Sequence, residues 1–208
     1  MEPIKFEEVL RWTGGTSRES KREIVFSGIS TDSRCLCKDC LFIALRGKNF
    51  DGHNFVSDAV KSGALGVLAE RQLPDNVPQI IVDDSIRALG DIARNYKRKF
   101  NCTVIGITGS DGKTTTKEMS AFLLGSVFNV CCNQGNFNNE IGLPLSMLNI
   151  SQKTEIGIFE LGMNGEGQLR YLGDILQPDI VIITSIGYAH LGFFENRRAL
   201  AEAKAEIL

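Results

Sequence analysis

The run Gly106-Ile107-Thr108-Gly109-Ser110-Asp111-Gly112-Lys113-Thr114-Thr115 lies between an apolar segment and a helix-like pattern, and it brings together what a nucleoside triphosphate needs. Glycines let the main chain approach phosphate oxygens closely. Backbone N–H groups at a helix start, with the helix dipole, offer donors and partial positive charge. Lys113 adds a full charge for the terminal phosphates, and Thr114 supplies the hydroxyl that ligates the accompanying magnesium. The set that would bind the triphosphate is therefore Gly109, Ser110, Asp111, Gly112, Lys113, Thr114 and Thr115. The general P-loop spacing requires glycine where this chain has Ile107, and its glycines fall at 106, 109 and 112. Glu160 ends an apolar run, where a carboxylate is costly unless a cation or hydrogen bonds compensate it; a magnesium ligand and a carboxylate turned to solvent are both open. By themselves His190 and Lys204 read as a hydrogen-bonded histidine and a solvated helix lysine.

Alternating strands and helices must position these groups. Residues 102–107 have the β-branched composition of a buried parallel strand, and 117–124 carry apolar residues at helical spacing. Strand patterns at 156–161 and 179–186 alternate with helix patterns at 167–176 and from 196 onward, which predicts a parallel sheet with helical crossovers. Ligands of such sheets bind beyond the carboxyl ends of the strands, where Gly109, Glu160 and the 185–190 segment all fall. Upstream, helix patterns at 6–12 and 55–62 and strand patterns at 41–45, 65–69 and 79–82 describe a smaller α/β unit. An amphipathic helix over 85–100 ends in Lys97-Arg98-Lys99, a basic end favoured by the dipole, and the domain boundary is placed there.

Composition excludes several classes. The chain has 208 residues, 43% of them hydrophobic and 23% charged, and a formal net charge of -2, so there is no basic field for nucleic acid. No run of about 18 apolar residues exists to span a bilayer, and the acidic start around Glu7 and Glu8 does not fit a signal peptide, so the expected location is cytoplasmic. Cys35, Cys37 and Cys40 form a compact triplet without an evident fourth ligand, and the six cysteines read as reduced thiols rather than a zinc site. The chain stops at Leu208 inside a helix pattern with no capping signal, which reads as a fragment.

The spacing Gly109-x-x-Gly112-Lys113-Thr114-Thr115 resembles the ATP loop of the Mur ligases and their folylpolyglutamate synthetase relatives, and further segments follow in that family's order. Asn136-Phe137-Asn138-Asn139-Glu140-Ile141-Gly142-Leu143-Pro144 resembles the segment after the first helix of the central domain, in the form carried by members that add D-alanyl-D-alanine. Glu160-Leu161-Gly162-Met163-Asn164 resembles a metal-binding strand end, and Ser185-Ile186-Gly187-Tyr188-Ala189-His190-Leu191 the next strand end. Lys204-Ala205-Glu206-Ile207 resembles the segment whose lysine the family carries as a carbamate. Thr31-Asp32-Ser33-Arg34, with Phe42, Gly47 and Asp51-Gly52-His53, resembles its uridine nucleotide pocket.

The resemblance implies an α/β protein: a small N-terminal α/β substrate domain over 1–99 that binds a UDP-muramoyl peptide, then an incomplete P-loop-type parallel-sheet ATP-binding domain over 100–208, without a C-terminal domain. It implies an ATP-dependent amide-bond ligase of peptidoglycan precursor synthesis. Such an enzyme joins D-alanyl-D-alanine to UDP-N-acetylmuramoyl tripeptide through an acyl phosphate, with ATP, Mg2+ and a carbamylated Lys204. Implied catalytic residues are Lys113, Lys204, His190 and Glu160; implied metal ligands are Thr114, Glu160, His190 and Lys204. Implied substrate contacts are Thr31, Asp32, Ser33, Arg34, Gly47, Asn138 and Asn139, although asparagines in a glycine-flanked turn also serve local backbone bonding. A monomer with no nucleic-acid or membrane partner is expected, and the chain by itself is expected to be inactive. Other readings are a ligase adding the third amino acid to UDP-N-acetylmuramoyl dipeptide, a P-loop ATPase or kinase, and a non-catalytic binding module. Ser185, Tyr188 and Gly192 depart from the family's common asparagine, proline and acidic residues, and no role is assigned to them.

Overall fold

The short β-branched runs of the chain settle as parallel strands in a computed structural model that describes residues 1–18, 23–47, 50–74, 76–187, 194 and 196–208. The chain divides into two units, Met1–Ile92 and Ala93–Leu208. In the first, β1 (Ile4–Lys5) pairs antiparallel with β2 (Val25–Phe26) beside α1 (Phe6–Thr13). A four-stranded parallel sheet follows in the order β3 (Gly28–Ser30), β4 (Cys40–Ile43), β5 (Ala64–Ala69), β6 (Gln79–Ile81). Phe42, Val56, Ala59, Val67 and Ala69 form its core, with α2 (Val56–Lys61) packed on β5. The boundary between the units falls within α3 (Ser85–Lys97), whereas the sequence places it after that helix.

The second unit holds four parallel strands in the order β10 (Ile180–Ile183), β7 (Thr103–Thr108), β9 (Ile156–Glu160), β8 (Val130–Cys132). Helices α4 (Lys113–Gly125), α5 (Gly142–Met147), α6 (Gln168–Leu176) and α7 (Arg197–Ala205) complete it. The expected α/β architecture with parallel sheets is present, and β7 lies between β10 and β9 as the inward register of buried Val104, Ile105 and Ile107 requires. Strand β8 and helix α5 are additions: Cys131 and Cys132, read in the sequence as scattered thiols, belong to a strand too short to show a period. Strand β10 is shorter than the 179–186 run: before it the Asp179 carboxylate accepts the Val104 N–H at 2.7 Å, and after it the Thr184 N–H still reaches the Thr108 carbonyl at 2.9 Å before the chain turns to the glycine loop. Along α4 only one stripe, with Ala121 and Leu124, packs on the sheet; Met119, Phe122 and Leu123 face outward.

The end of α3 belongs to the second unit through Tyr96, which is fully buried and donates its hydroxyl to the Ile150 carbonyl at 2.9 Å. A Tyr96→Phe substitution leaves that buried carbonyl without this donor. It is expected to lower stability by about 1–2 kcal/mol, read as a lower urea midpoint with an unchanged slope.

Candidate active site

The glycine loop after β7 is shaped from two directions. Gly112 takes a left-handed φ of 78° just before α4, so the main chain turns directly into the helix. The first N–H groups of that helix, from Lys113, Thr114 and Thr115, have no intrahelical acceptors and form the donor set at its start. On the other side the residues that leave β10 grip the loop. The Ser110 and Asp111 N–H groups donate to the Ser185 carbonyl and hydroxyl, each at 2.9 Å. The Thr184 hydroxyl donates to the Asp111 carbonyl at 2.6 Å, and the Gly187 N–H donates to the Ser110 hydroxyl at 3.0 Å. Lys113 folds its amino group onto the Gly109 and Ser110 carbonyls at 2.9 and 3.2 Å. Gly109 has φ of 149°, and a Cβ there would lie 2.0 Å from the Thr184 hydroxyl, so only glycine fits this crossing.

Glu160, the last residue of β9, is 3% exposed, and each of its carboxylate oxygens accepts a hydrogen bond. The Thr114 hydroxyl donates to Oε2 at 2.7 Å and the Asn138 amide donates to Oε1 at 2.8 Å. Asn138 reaches this position because its carbonyl accepts the Gly162 N–H at 2.9 Å; a Cβ on Gly162 would crowd the Asn138 amide at 2.9 Å. Both the backbone N–H and the carbonyl of Glu160 pair with the side-chain amide of Asn133, at 2.9 and 3.0 Å. The Thr114 hydroxyl and the Glu160 carboxylate are hard oxygen donors of the kind magnesium takes, so the donor set fits that ion.

Lys204 is 1% exposed on α7. Burial first, then the Lys113 charge, push its amine down to about 8, while Asp111 opposes the shift. Its helix is anchored by Glu206, whose carboxylate accepts the Gly167 N–H at the start of α6 at 2.9 Å. In the first unit, the Arg34 guanidinium makes a two-point contact with Asp32 at 2.9 and 2.7 Å, which holds the Asp32 carboxyl at about 2. Thr31 and Ser33 are half-buried neighbours of that pair in the same turn, and the Gly47 N–H donates to the Phe50 carbonyl at 2.8 Å. Phe42 is core, and the buried His53 ring bonds Asp51 while accepting the Glu70 N–H at 2.9 Å.

Residues 25–97 match the Mur ligase family catalytic domain, and residues 107–208 match the Mur ligase middle domain. A UDP-N-acetylmuramoyl-tripeptide--D-alanyl-D-alanine ligase of Bacillus subtilis (strain 168) is 41% identical over 198 residues, which are 94% of this chain and 43% of that protein. Crystal structure I of MurF from Acinetobacter baumannii is similar at a TM-score of 0.94 and 34% identity, covering 100% of this chain and 46% of that one. The MurF ligase of Thermotoga maritima, solved in complex with ADP, is similar at a TM-score of 0.80 and 38% identity, covering 86% of this chain and 42% of that one. The chain belongs to the Mur ligase family. It spans about two fifths of the length of the curated relatives it matches.

Of the positions that the Mur ligase resemblance singles out, the structure joins Thr114, Glu160 and Asn138 directly, and the charges of Lys113 and Asp111 act on the buried Lys204 amine. His190, like Tyr188 and Gly192, lies outside the described residues. Asn139 differs from its neighbour: its side chain accepts the Gly142 N–H at 2.8 Å and caps α5. Asn133, Thr184 and Ser185 carry the site's framework without having been assigned a role from sequence. Asn133 follows a strand that was not legible, and Ser185 stood out only as a departure from the family pattern. Gly109→Ala is expected to weaken ATP binding more than about tenfold, since the clash with Thr184 adds to the cost of a positive φ; titration of the folded variant with ATP measures it.

Proposed function

We propose that this chain carries the UDP-sugar-binding and ATP-phosphate-binding parts of a ligase that adds D-alanyl-D-alanine to UDP-N-acetylmuramoyl tripeptide in peptidoglycan precursor synthesis. The observation that carries the reading is the buried Glu160 carboxylate held between the Thr114 hydroxyl and the Asn138 amide, at the carboxyl ends of the strands beside the glycine loop. A plain P-loop ATPase or kinase needs no such asparagine, and the Asn-Phe-Asn-Asn and Glu-Leu-Gly-Met wording favours the D-alanyl-D-alanine adder over the adder of the third amino acid. The names of the curated relatives support the same substrate pair.

A carboxylate is a poor acylating agent, so the tripeptide's terminal carboxylate oxygen first attacks the γ-phosphorus of ATP, giving an acyl phosphate and ADP. Lys113, released from the loop carbonyls, neutralises charge on the transferring phosphoryl group, and the N–H groups at the start of α4 hold the phosphates behind it. Thr114 and Glu160, with His190 and a carbamylated Lys204, would hold magnesium, which supplies positive charge at the phosphates when bound. The D-alanyl-D-alanine amine then attacks the acyl carbon, a tetrahedral intermediate collapses, phosphate leaves and an amide remains. Carbamate formation needs a neutral amine, and the burial that lowers the Lys204 pKa to about 8 favours one. Turns 31–34 and Gly47 bind the uridine nucleotide handle, whose remote binding energy positions the tripeptide. The protein acts in the cytoplasm as a monomer; among the described residues no helix is long and apolar enough to cross a membrane.

Calorimetric titration with UDP-N-acetylmuramoyl tripeptide, with UDP and UMP as controls, is expected to show tight binding of the muramoyl nucleotide; a folded chain that binds Mg-ATP but ignores it would refute the ligase reading. Lys113→Met is expected to weaken Mg-ATP binding at least about tenfold while leaving the muramoyl nucleotide affinity unchanged. Bicarbonate-dependent carbon-13 NMR is expected to show a carbamate signal that Lys204→Ala abolishes; its persistence in that variant would exclude Lys204 as the carrier.

A further inference from the structure

We infer that Lys117 is a positioning residue that holds the magnesium-binding carboxylate of Glu160 through Asn133. The inference rests on the reading of Glu160 as a metal ligand. Lys117 is fully buried on α4, on the stripe that continues through Ala121 and Leu124 onto the sheet, where an apolar side chain is the ordinary choice. Burying an amino group costs more than burying an apolar chain of similar volume, so its hydrogen bonds have to matter at this place. One partner is Glu118 at 2.9 Å, whose side chain is 62% exposed and therefore screened by solvent. The other is internal: Lys117 donates to the main-chain carbonyl of Asn133 at 2.7 Å.

Asn133 is where this bond acquires a consequence. Backbone pairing of β8 with β9 runs to Cys132 opposite Ile158, and beyond it the Asn133 side-chain amide takes the place of a peptide unit. Its oxygen accepts the Glu160 N–H, and its nitrogen donates to the carbonyls of Glu160 and Phe137. It thereby fixes the backbone of Glu160 and the start of the turn that presents Asn138 to the same carboxylate. Lys117 lies three residues after Thr114, on the same side of α4. One helix thus touches Glu160 twice, through the Thr114 hydroxyl at the carboxylate and through Lys117 and Asn133 at the backbone. Magnesium demands near-ideal ligand geometry, which makes this double attachment a setting for the Thr114 and Glu160 oxygens.

The test compares ATP affinity with and without Mg2+ in the 208-residue chain, with thermal unfolding as the check on folding. Native chain is expected to bind ATP more tightly with Mg2+. Lys117→Met, of similar volume, is expected to cut that tightening about tenfold or more while metal-free ATP affinity stays near native. Asn133→Ala keeps a main-chain carbonyl for Lys117 but removes the bracket on Glu160, and is expected to give the same loss; the double variant is expected to add little. Should Lys117→Met fail to fold, Asn133→Ala and Mn2+ binding to its ATP complex decide the matter. Unchanged tightening in the folded variants, or an equal fall in metal-free affinity, would overturn the role of Lys117. Absence of any Mg2+ effect in the native chain would instead overturn the metal reading of Glu160 and this inference with it.

Discussion

A carboxylate at 3% exposure is the constraint on which the second unit turns. Removing an ionised carboxylate from water is costly unless hydrogen bonds or a cation replace its hydration, and Glu160 receives donors at both oxygens and at its backbone. Those partners come from α4, through Thr114, and from the segment after β8, through Asn133 and Asn138, two places well separated from each other and from Glu160 in sequence. Satisfying one group therefore locks the glycine-loop helix to the neighbouring strand ends. The polar residues buried in this unit, Thr108, Ser110, Lys117, Asn133, Ser146, Glu160 and Lys204, belong for the most part to that lock or lie beside it.

Parallel pairing explains why the lock forms where it does. Strands β10, β7, β9 and β8 all point the same way, so their carboxyl ends and the loops that follow converge on one edge. The glycine loop leaves β7, Glu160 ends β9, and the segment after β10 turns across to hold Ser110 and Asp111. Ser185 takes up loop N–H groups that a bare turn would leave without acceptors, which leaves the N–H groups at the start of α4 as the phosphate donors. The sheet thus separates the donors that shape the loop from those suited to a ligand.

The first unit works by shorter-range rules. Its turns are closed by side chains two residues apart: Asp32 with Arg34, and Asp51 with His53. Arg34 is exposed and already paired, so a diphosphate bound there would compete with Asp32 for the guanidinium. His53 illustrates the opposite case, a histidine whose two ring nitrogens are both committed inside the fold.

Much of the fold was legible in the chain because its signals are local. The β-branched run before Gly109, the Gly-Lys-Thr-Thr loop and the alternation of strand and helix patterns determine an α/β protein with a parallel sheet and a phosphate loop, and the order of the motifs points to the Mur ligase family. Strand β8 and helix α5 escaped because three and six residues carry too little periodicity. Asn138 and Asn139 look alike in sequence, yet one reaches Glu160 and the other caps a helix. Lys117 reads as an ordinary helix lysine until its burial and the Asn133 carbonyl are seen together. Sequence by itself determined which residue types and local elements are present; only the tertiary structure decided which polar groups share a buried position, because hydrogen bonding and desolvation act over a few ångströms between segments that the chain order keeps apart.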